Sequence, residues 1–403
     1  MFKKLLSLIV VATMVLSFAA CGAKETAKDT AATDTAAEAT AAPTETAASD
    51  AATTETAAGL FAPIAKENIK VGVLHIGDPA DGAGYTFAHD QGIVAMQQTL
   101  GLTDAQIVRK NNVNDADAVA IRTAIEECLE EGCNIIFGTS WGFMDTMAEM
   151  AEEYPDVIFS HCSGYKSNGK NFNNYFGRIY QARYLAGVAA GLKTQSDKIG
   201  FVAAMDNKNS EVTGGINAFA LGVESVNPDA KVYVKVTNTW FDPTLEQQAA
   251  EALLDAGCDV IAQHADTTAP QLAAEKRGVW GCGYNSDMTK DAPAAHLTAP
   301  VWNWGAYYTK AVQSVIEGTW TGENYFGGMD DGLVDISPLS DNCAEGTAEA
   351  VEAARQKILG GFKVFEGELY DNAGNQVCKA GEFISDADIT GAMNWYYKTV
   401  VVQ

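Results

Sequence analysis

Aromatic and short polar side chains recur together directly after the apolar runs of this sequence. Tyr85 and Thr86 follow the first run, and Trp141 follows a later one. The other members of the set are Asp206, Trp240, Asp266, Asn285, Asp287 and Trp302. Aromatic faces stack on planar rings, while carboxylates and amides hydrogen-bond to the donors and acceptors on a ring edge. The mixture predicts a binding pocket for a flat, polar heterocycle.

Several of these residues also have a structural interpretation. Asp206, Asp266 and Asp287 could each cap a following helix, because strand-to-helix loops commonly need an acceptor for the first N–H groups. Trp240 and Trp302 could equally serve packing. Two lone histidines near the same positions, His89 and His264, are expected to be structural.

The apolar runs alternate with helical patterns of ten or more residues. The first set of predicted strands covers 69–77, 106–108, 134–139 and 157–160, with helices at 88–99, 115–131, 143–153 and 180–193. The second set has strands at 199–203, 231–236, 259–263 and 278–283, with helices at 215–226 and 245–256. This alternation is typical of βαβ units, so we predict an α/β protein with two parallel sheets. Ligands bind beyond the carboxyl ends of such strands, which places the residues above in one cleft between two lobes.

The start of the chain predicts export and membrane attachment. Lys3 and Lys4 precede an apolar run at 5–18, which is shorter than the roughly 20 residues a membrane-spanning helix needs. We interpret residues 1–20 as a signal peptide. Small residues precede Cys21, as in a bacterial lipobox, so we expect acyl chains such as palmitate on Cys21. The alternative is an ordinary cleavage site with a chance cysteine.

Residues 21–63 are predicted to form a disordered tether, because they consist mainly of Ala, Thr, Glu and Asp and offer little to bury. Roughly 340 residues remain after it, which is more than one compact core usually takes. The net charge of −25 argues against nucleic acid as a partner. Beyond Cys21 there are seven cysteines without Cys-x-x-Cys spacing, which we expect to be free, buried thiols rather than zinc ligands.

A group of short motifs gives the chain a family resemblance. They are the lipobox, the loop through Gly92, Phe137-Gly138-Thr139, the segment from Arg178 to Gly187, Gly200-Phe201-Val202, Met205-Asp206, Asp259-Val260-Ile261 and the segment from Gly283 to Asp287. With these motifs the chain, from about Ile69 onward, resembles the basic membrane protein family of bacterial lipoproteins. The best-understood members of that family are purine nucleoside receptors of importers.

The resemblance implies a type I periplasmic-binding-protein fold, with two Rossmann-like lobes joined by a hinge of three crossings. The first crossing would precede the helix that starts near Tyr180, and the others would lie near Leu297-Thr298 and Gly332-Leu333-Val334. One lobe would hold residues 64–178 and 299–332, and the other would hold 179–298 and 333–403.

Departures from the family pattern bear on the ligand. The first loop carries Gly82 to Thr86 where nucleoside-binding members have an Asp-Lys-Ser-Phe-Asn type sequence. Asn285 replaces a carboxylate that would hold ribose hydroxyls, and Trp302 lies near the place of a family lysine. These changes favour a purine base or similar small heterocycle over an intact nucleoside.

We therefore expect an extracytoplasmic, lipid-anchored solute-binding protein of an ABC importer, monomeric, with the permease as partner and with no enzymatic activity, cofactor or metal. A receptor for a sugar or a signalling molecule on the same fold is the main alternative. A hydrolase or deaminase is less favoured, since a deaminase would need a His-Cys-Cys zinc signature that the sequence lacks. No Walker loop supports ATP binding, and no Gly-x-Gly-x-x-Gly follows the first strand.

Overall fold

A computed structural model describes residues 59–403. The predicted signal peptide, the lipidation site at Cys21 and most of the tether lie outside the described residues. The tether prediction extends too far along the chain: Gly59 N donates to Gly318 O at 2.9 Å and Leu60 N to Trp320 O at 2.8 Å. The reason is that Phe61 and Ile64, two large apolar residues that follow the Ala/Thr stretch, pack against the core.

Strands and helices alternate through most of the described chain. The strands are β1 (Val71–Leu74), β2 (Ile107–Lys110), β3 (Ile135–Gly138), β4 (Ile158–Cys162), β5 (Phe172–Gly177), β6 (Lys198–Ala203), β7 (Lys231–Val236), β8 (Val260–His264), β9 (Trp280–Cys282), β10 (His296–Thr298), β11 (Pro300–Trp302), β12 (Tyr325–Gly327), β13 (Val334–Ile336), β14 (Leu369–Tyr370), β15 (Gln376–Cys378) and β16 (Val400–Val402). The helices are α1 (Gly84–Leu100), α2 (Ala118–Glu130), α3 (Met144–Glu153), α4 (Ile179–Lys193), α5 (Ser210–Glu224), α6 (Pro243–Asp255), α7 (Ala269–Lys276), α8 (Trp304–Glu317), α9 (Thr347–Leu359) and α10 (Asp386–Gly391).

Two six-stranded sheets form the centres of two lobes, which confirms the predicted fold class. The first sheet has the order β12-β5-β4-β3-β1-β2, and the second has the order β10-β9-β8-β6-β7-β16. All neighbouring strands within each sheet are parallel. The four central strands of the first sheet have continuous buried runs, as expected for sheets covered by helices on both faces.

Four strands of these sheets were not predicted, namely β5, β10, β12 and β16, and β10 has only three residues. In β5 the polar residues Asn173 and Asn174 interrupt the apolar pattern that marks a buried strand. Both are buried because they have specific partners: Asn173 Nδ2 donates to Glu323 O at 2.8 Å, and Asn174 Nδ2 donates to His161 O at 3.0 Å. The strands β12 and β16 have only three residues each, which is too short for a periodic signal.

The chain passes between the two sheets three times, as the hinge prediction requires. It leaves the first sheet after β5, returns between β10 and β11, and leaves again between β12 and β13. The strands β11 and β13 pair antiparallel at the crossing. The hinge is therefore a short two-stranded ribbon together with the start of α4.

The helices α4 and α5 pack backbone to backbone in the second lobe. A Cβ at Gly187 would lie 2.1 Å from Phe219 O, and a Cβ at Gly222 would lie 2.0 Å from Tyr184 O. Only glycine allows this approach, which explains the small residues in both helices. All seven cysteines of the described chain are free, as predicted.

Candidate ligand-binding site

The two lobes touch where the carboxyl ends of their strands face each other. Gly84 begins α1 in the first lobe, with a φ of +80°, and Asp266 follows β8 in the second lobe. A Cβ at Gly84 would lie only 2.4 Å from the carbonyl oxygen of Asp266. The loop after β1 therefore closes directly against the loop after β8.

Tyr85 forms the aromatic part of the first lobe's wall. Its hydroxyl donates to the carbonyl oxygen of Thr139 at 2.5 Å and lies 3.5 Å from the Cys162 Sγ. The ring meets His89 edge to face, with centroids 4.4 Å apart. Burial raises the pKa of the Tyr85 phenol well above its usual value, so it stays neutral. These contacts fix the ring beside the cleft.

Three aromatic rings lie side by side in the second lobe. The centroids of Trp240 and His264 are 5.9 Å apart, and those of His264 and Tyr284 are 4.6 Å apart. The Trp240 carbonyl oxygen also accepts a hydrogen bond from the Asp266 backbone N–H at 3.0 Å. This bond ties the loop after β7 to the loop after β8.

Asp266 and Asn285 form a hydrogen-bonded pair at neighbouring strand ends. Asn285 Nδ2 donates to Asp266 Oδ1 at 2.8 Å, and the Asn285 backbone has a φ of +66°. Burial raises the pKa of Asp266 to about 7, although the bond from Asn285 lowers it. Asn285 Oδ1 is buried and has no partner within the described chain.

Glu211 is a member of the site that the sequence analysis missed. It lies in the first turn of α5, with Oε1 3.5 Å from His264 Nε2 and its side chain 26% exposed. Burial raises its pKa to about 7, against the opposing charge of Arg183. Its charge also adds to the effect of burial in raising the pKa of Tyr85 and of Cys162 in the other lobe. Glu211 therefore lies beside His264, at the start of α5.

Arg183 lies behind this wall and is almost completely buried. Its guanidinium stacks on the Tyr284 ring at 3.8 Å, and Nη1 donates to the carbonyl oxygen of Gln263. Burial lowers the pKa of Arg183. Burial also lowers the pKa of His264 well below its usual value, so the histidine is neutral. Arg183 Nε and Nη2 and both ring nitrogens of His264 have no hydrogen-bond partner among residues 59–403. Buried polar groups are normally paired, so this concentration indicates a place for a ligand.

Two predicted site residues have local roles instead. Asp206 accepts a hydrogen bond from the Lys208 backbone at 3.0 Å and forms an ion pair with its ammonium at 3.2 Å. Asp287 is 48% exposed and accepts from the backbone N–H of Thr289 at 2.9 Å. These contacts favour a local structural role over ligand binding, because a nearby donor satisfies each carboxylate. Asp206 is not a helix cap, since Asn209 caps α5.

Trp302 also departs from its predicted role, because it packs in the hinge core. It is 5% exposed, stacks on Trp304 with centroids 4.4 Å apart, and donates from Nε1 to the Tyr284 hydroxyl at 3.2 Å. Trp304 in turn stacks on His89 at 4.3 Å. The structural interpretation of His89 therefore agrees with the structure, whereas His264, expected to be structural, lies in the candidate site.

The two remaining predicted residues lie at the margin of the group. Trp141 begins the turn after β3 and is 55% exposed, with the Tyr165 ring 5.6 Å away. Thr86 follows Tyr85 in α1, and its Oγ1 faces the backbone of Gly77. The structure thus brings together Tyr85, Trp240, Asp266 and Asn285 from the predicted set.

The end of β3 carries a Gly-x-Ser-x-Gly pattern, from Gly138 to Gly142, so the absence of this hydrolase motif cannot be used against a hydrolase, and the geometry has to decide. In hydrolases this pattern presents a serine to a histidine base. Here Ser140 Oγ donates to Asp115 Oδ2 at 2.5 Å, while His161 Nε2 contacts the Ser140 carbonyl oxygen at 2.7 Å. The histidine therefore does not reach the hydroxyl, and the arrangement is not that of a nucleophile with its base. Within residues 59–403, no group of three or more His, Cys, Asp or Glu side chains is arranged to hold a metal.

Comparison with known proteins places the chain in a family. The family model described as ABC transporter substrate-binding protein, PnrA-like, matches residues 69–367. The chain belongs to the Bmp family. A purine-binding protein of Brucella abortus is similar to this Bmp protein, with 38% identity over 85% of this chain and 96% of the relative. A putative ABC transporter glucose-binding protein of Haloferax volcanii is 36% identical over 76% of this chain and 78% of its own length.

Solved structures show the same fold at low sequence identity. An ABC transporter solute-binding protein from Conexibacter woesei matches with a TM-score of 0.62 and 19% identity, covering 73% of this Bmp protein and 97% of that chain. A second, from Aeropyrum pernix, gives a TM-score of 0.62 and 18% identity over 73% and 92% of the two chains. As an ABC substrate-binding protein, the Bmp protein acts outside the cytoplasm. No helix in residues 59–403 has the length and apolar character to cross a membrane.

Proposed function

We propose that this substrate-binding protein captures a purine base, a purine nucleoside or a closely similar heterocycle in the cleft between its lobes and delivers it to the permease of an ABC importer. The observation that carries the proposal is the purine-binding relative, which is 38% identical over nearly its whole length. Two proteins that share so much of one chain usually share the architecture of the site, although the ligand itself can differ.

The composition of the site supports a planar ligand. Tyr85 and Trp240 would provide aromatic faces, with Trp141 at the margin, and Thr86 lies next to Tyr85. Glu211, Asp266 and Asn285 would accept hydrogen bonds from the edge of the ring, because each has an oxygen atom that accepts no hydrogen bond from residues 59–403. Arg183 and His264 would hold the carboxylates in place from behind.

A thermal-shift screen against purine bases, nucleosides, pyrimidines and simple sugars tests the proposal. A ligand at a hundred times its dissociation constant should stabilise the protein by about 2.7 kcal/mol, which raises Tm by several degrees. A purine that raises Tm saturably, at one ligand per chain and without being turned over, is the expected result. If no purine raised Tm, the proposal would be contradicted.

A sugar is the second candidate, because the Haloferax volcanii relative is named as glucose-binding and is almost as similar. Sugar sites combine stacked aromatics with carboxylates, amides and arginines that bind hydroxyl groups. Asp266 and Asn285 would suit such a role. Glucose that raises Tm while purines stay silent would favour this candidate.

The membrane attachment is part of the same proposal. Residues 1–20 would be removed as a signal peptide, Cys21 would carry the lipid anchor, and the segment that follows would tether a monomeric head to the outer face of the membrane. Stable anchoring needs more than one acyl chain, as bacterial lipoproteins carry. In a bacterial host, Cys21→Ala should move the protein from the membrane fraction to the soluble extracytoplasmic fraction. A Cys128→Ala variant serves as the control.

A further inference from the structure

The site holds more hydrogen-bond acceptors than donors. Neither carboxylate oxygen of Glu211 accepts a hydrogen bond from residues 59–403, and Asp266 uses only Oδ1, for Asn285. Asn285 Oδ1 adds a further buried acceptor without a partner. The donors left over belong to Arg183 and His264, behind the carboxylates. A ligand that pairs these acceptors must carry several N–H or O–H groups.

The two carboxyl groups face the ligand space from different directions. Asp266 follows β8 and lies against the start of α1, whereas Glu211 lies in the first turn of α5, with Oε1 3.5 Å from His264 Nε2. Both groups carry negative charge when ionised, while His264 is neutral and the buried Arg183 stacks on the neighbouring Tyr284 ring. A ring with N–H groups on two edges could donate a hydrogen bond to each carboxyl group, whereas a ring with donors on one edge would leave one carboxylate without a donor.

Purine chemistry connects this arrangement to selectivity. A free purine base has an N–H on its imidazole ring, and many purines have further N–H groups on the six-membered ring. Attachment of ribose at N9 removes the imidazole N–H. A site built to bind an N–H strongly rejects an analogue that lacks it, because its own polar group is then left unpaired.

We propose that Glu211 and Asp266 accept N–H groups from two different edges of the bound ring, one of them the imidazole N–H, and that the protein thereby selects free purine bases over nucleosides. The inference rests on the proposed function, since it concerns the same cleft. It adds the feature of the ligand that the carboxylates recognise.

The test compares adenine, 9-methyladenine and adenosine by calorimetry on the purified protein. The methyl group removes the same N–H as ribose does but adds little bulk. We expect 9-methyladenine to bind about a hundredfold more weakly than adenine, the effect of losing a hydrogen bond to a charged group and leaving that group unpaired. Affinities for the two compounds within about threefold of each other would overturn the inference but not the proposed function. Failure of every purine base and nucleoside to bind would overturn both.

Variants separate hydrogen bonding from a steric effect of the methyl group. One of the two variants, Glu211→Gln or Asp266→Asn, removes the carboxylate that accepts the imidazole N–H. That variant should bind adenine more weakly and 9-methyladenine with little change. The ratio of the two affinities should therefore fall at least tenfold in one of the two variants. A ratio that stays the same in both variants would contradict the inference. Because both ligands are measured on the same variant, partial misfolding does not change the ratio. Asp206→Asn and Asp287→Asn are matched controls, since these carboxylates also follow strands but have local partners.

Discussion

Gly84 and Asp266 meet across the cleft so closely that residue 84 has no room for a side chain. The two residues belong to different lobes, and a Cβ at Gly84 would lie 2.4 Å from the Asp266 carbonyl oxygen. The contact lies next to Tyr85 on one side and the Asp266 carboxyl group on the other. We therefore expect closure of the lobes to assemble the candidate ligand site.

Gly84→Ala should weaken ligand binding by preventing this closure. The added methyl group would collide with Asp266, which the lobes can relieve by staying apart. Gly82→Ala is a matched control, because Gly82 also has a left-handed backbone, at φ +77°, but a Cβ there would meet nothing nearer than 4.0 Å. In both variants the alanine must adopt a left-handed backbone, which costs about 1–2 kcal/mol of stability. Small-angle scattering with and without ligand should show compaction in Gly82→Ala and little in Gly84→Ala, and equal compaction would contradict the prediction.

Tyr85→Ala should reduce affinity by tenfold or more, because stacking of a planar ring on an aromatic side chain contributes about 1–3 kcal/mol. Tyr85→Phe keeps the ring and loses only the contacts of the hydroxyl with Thr139 and Cys162, so it should retain most of the affinity. Tyr165→Ala is the control, as this tyrosine is 67% exposed. Trp141→Ala should have a smaller effect than Tyr85→Ala because Trp141 is also largely exposed. Titration calorimetry measures all four, and an unchanged affinity in Tyr85→Ala would remove Tyr85 from the site.

Trp302→Ala should lower the free energy of unfolding by about 3–5 kcal/mol, the usual cost of removing a buried tryptophan. The cause is the loss of its stacking on Trp304 and the cavity left in the hinge. Trp302→Phe should retain most of the stability and bind ligand with nearly unchanged affinity. Denaturant unfolding and calorimetry check the two expectations. A large loss of affinity in a stable Trp302→Phe protein would restore Trp302 as a ligand contact.

The stability of the unliganded protein should depend on pH through Glu211 and Asp266. Both have a pKa raised to about 7 in the folded protein, whereas the unfolded values are about 4. The folded state therefore holds more protons between these values, and the stabilising contribution is complete below about pH 4 and lost as pH rises through 7. Arg183, His264, Tyr85 and Cys162 face the same groups.

The comparison that isolates this effect uses the double variant Glu211→Gln, Asp266→Asn, in which all other titrating groups remain. The wild-type protein should lose stability relative to the double variant between pH 5.5 and pH 8.5, measured by denaturant unfolding. A difference in stability that is the same at both pH values would show that the two carboxyl groups have ordinary pKa values.

The sequence predicted the sheets well because apolar strands between helices are a local signal. It could not separate Asp206 from Asp266, since both are aspartates directly after a strand. The difference is that Lys208 lies two residues beyond Asp206, whereas the donor nearest Asp266 comes from Asn285 on another strand. Only the assembled sheet shows which carboxylate has a local partner.

Glu211 was missed for a related reason. An acidic residue in the first turn of a helix normally interacts favourably with the helix dipole and needs no further explanation. What makes Glu211 unusual is its position near His264, Arg183 and the opposite lobe, and none of these neighbours is close in sequence. Arg183 lies in a motif that supported the family resemblance, but its burial against Tyr284 is also a long-range contact.

The described chain begins on one lobe and finishes on the other. Gly59 and Leu60 are bonded to Gly318 and Trp320 beside the first sheet, while β16 is an edge strand of the second sheet. Fluorophores attached next to Leu60 and at Gln403 would therefore be located on opposite lobes. Energy transfer between them would report opening and closing in single molecules, which makes the protein a natural scaffold for an optical sensor of its own ligand.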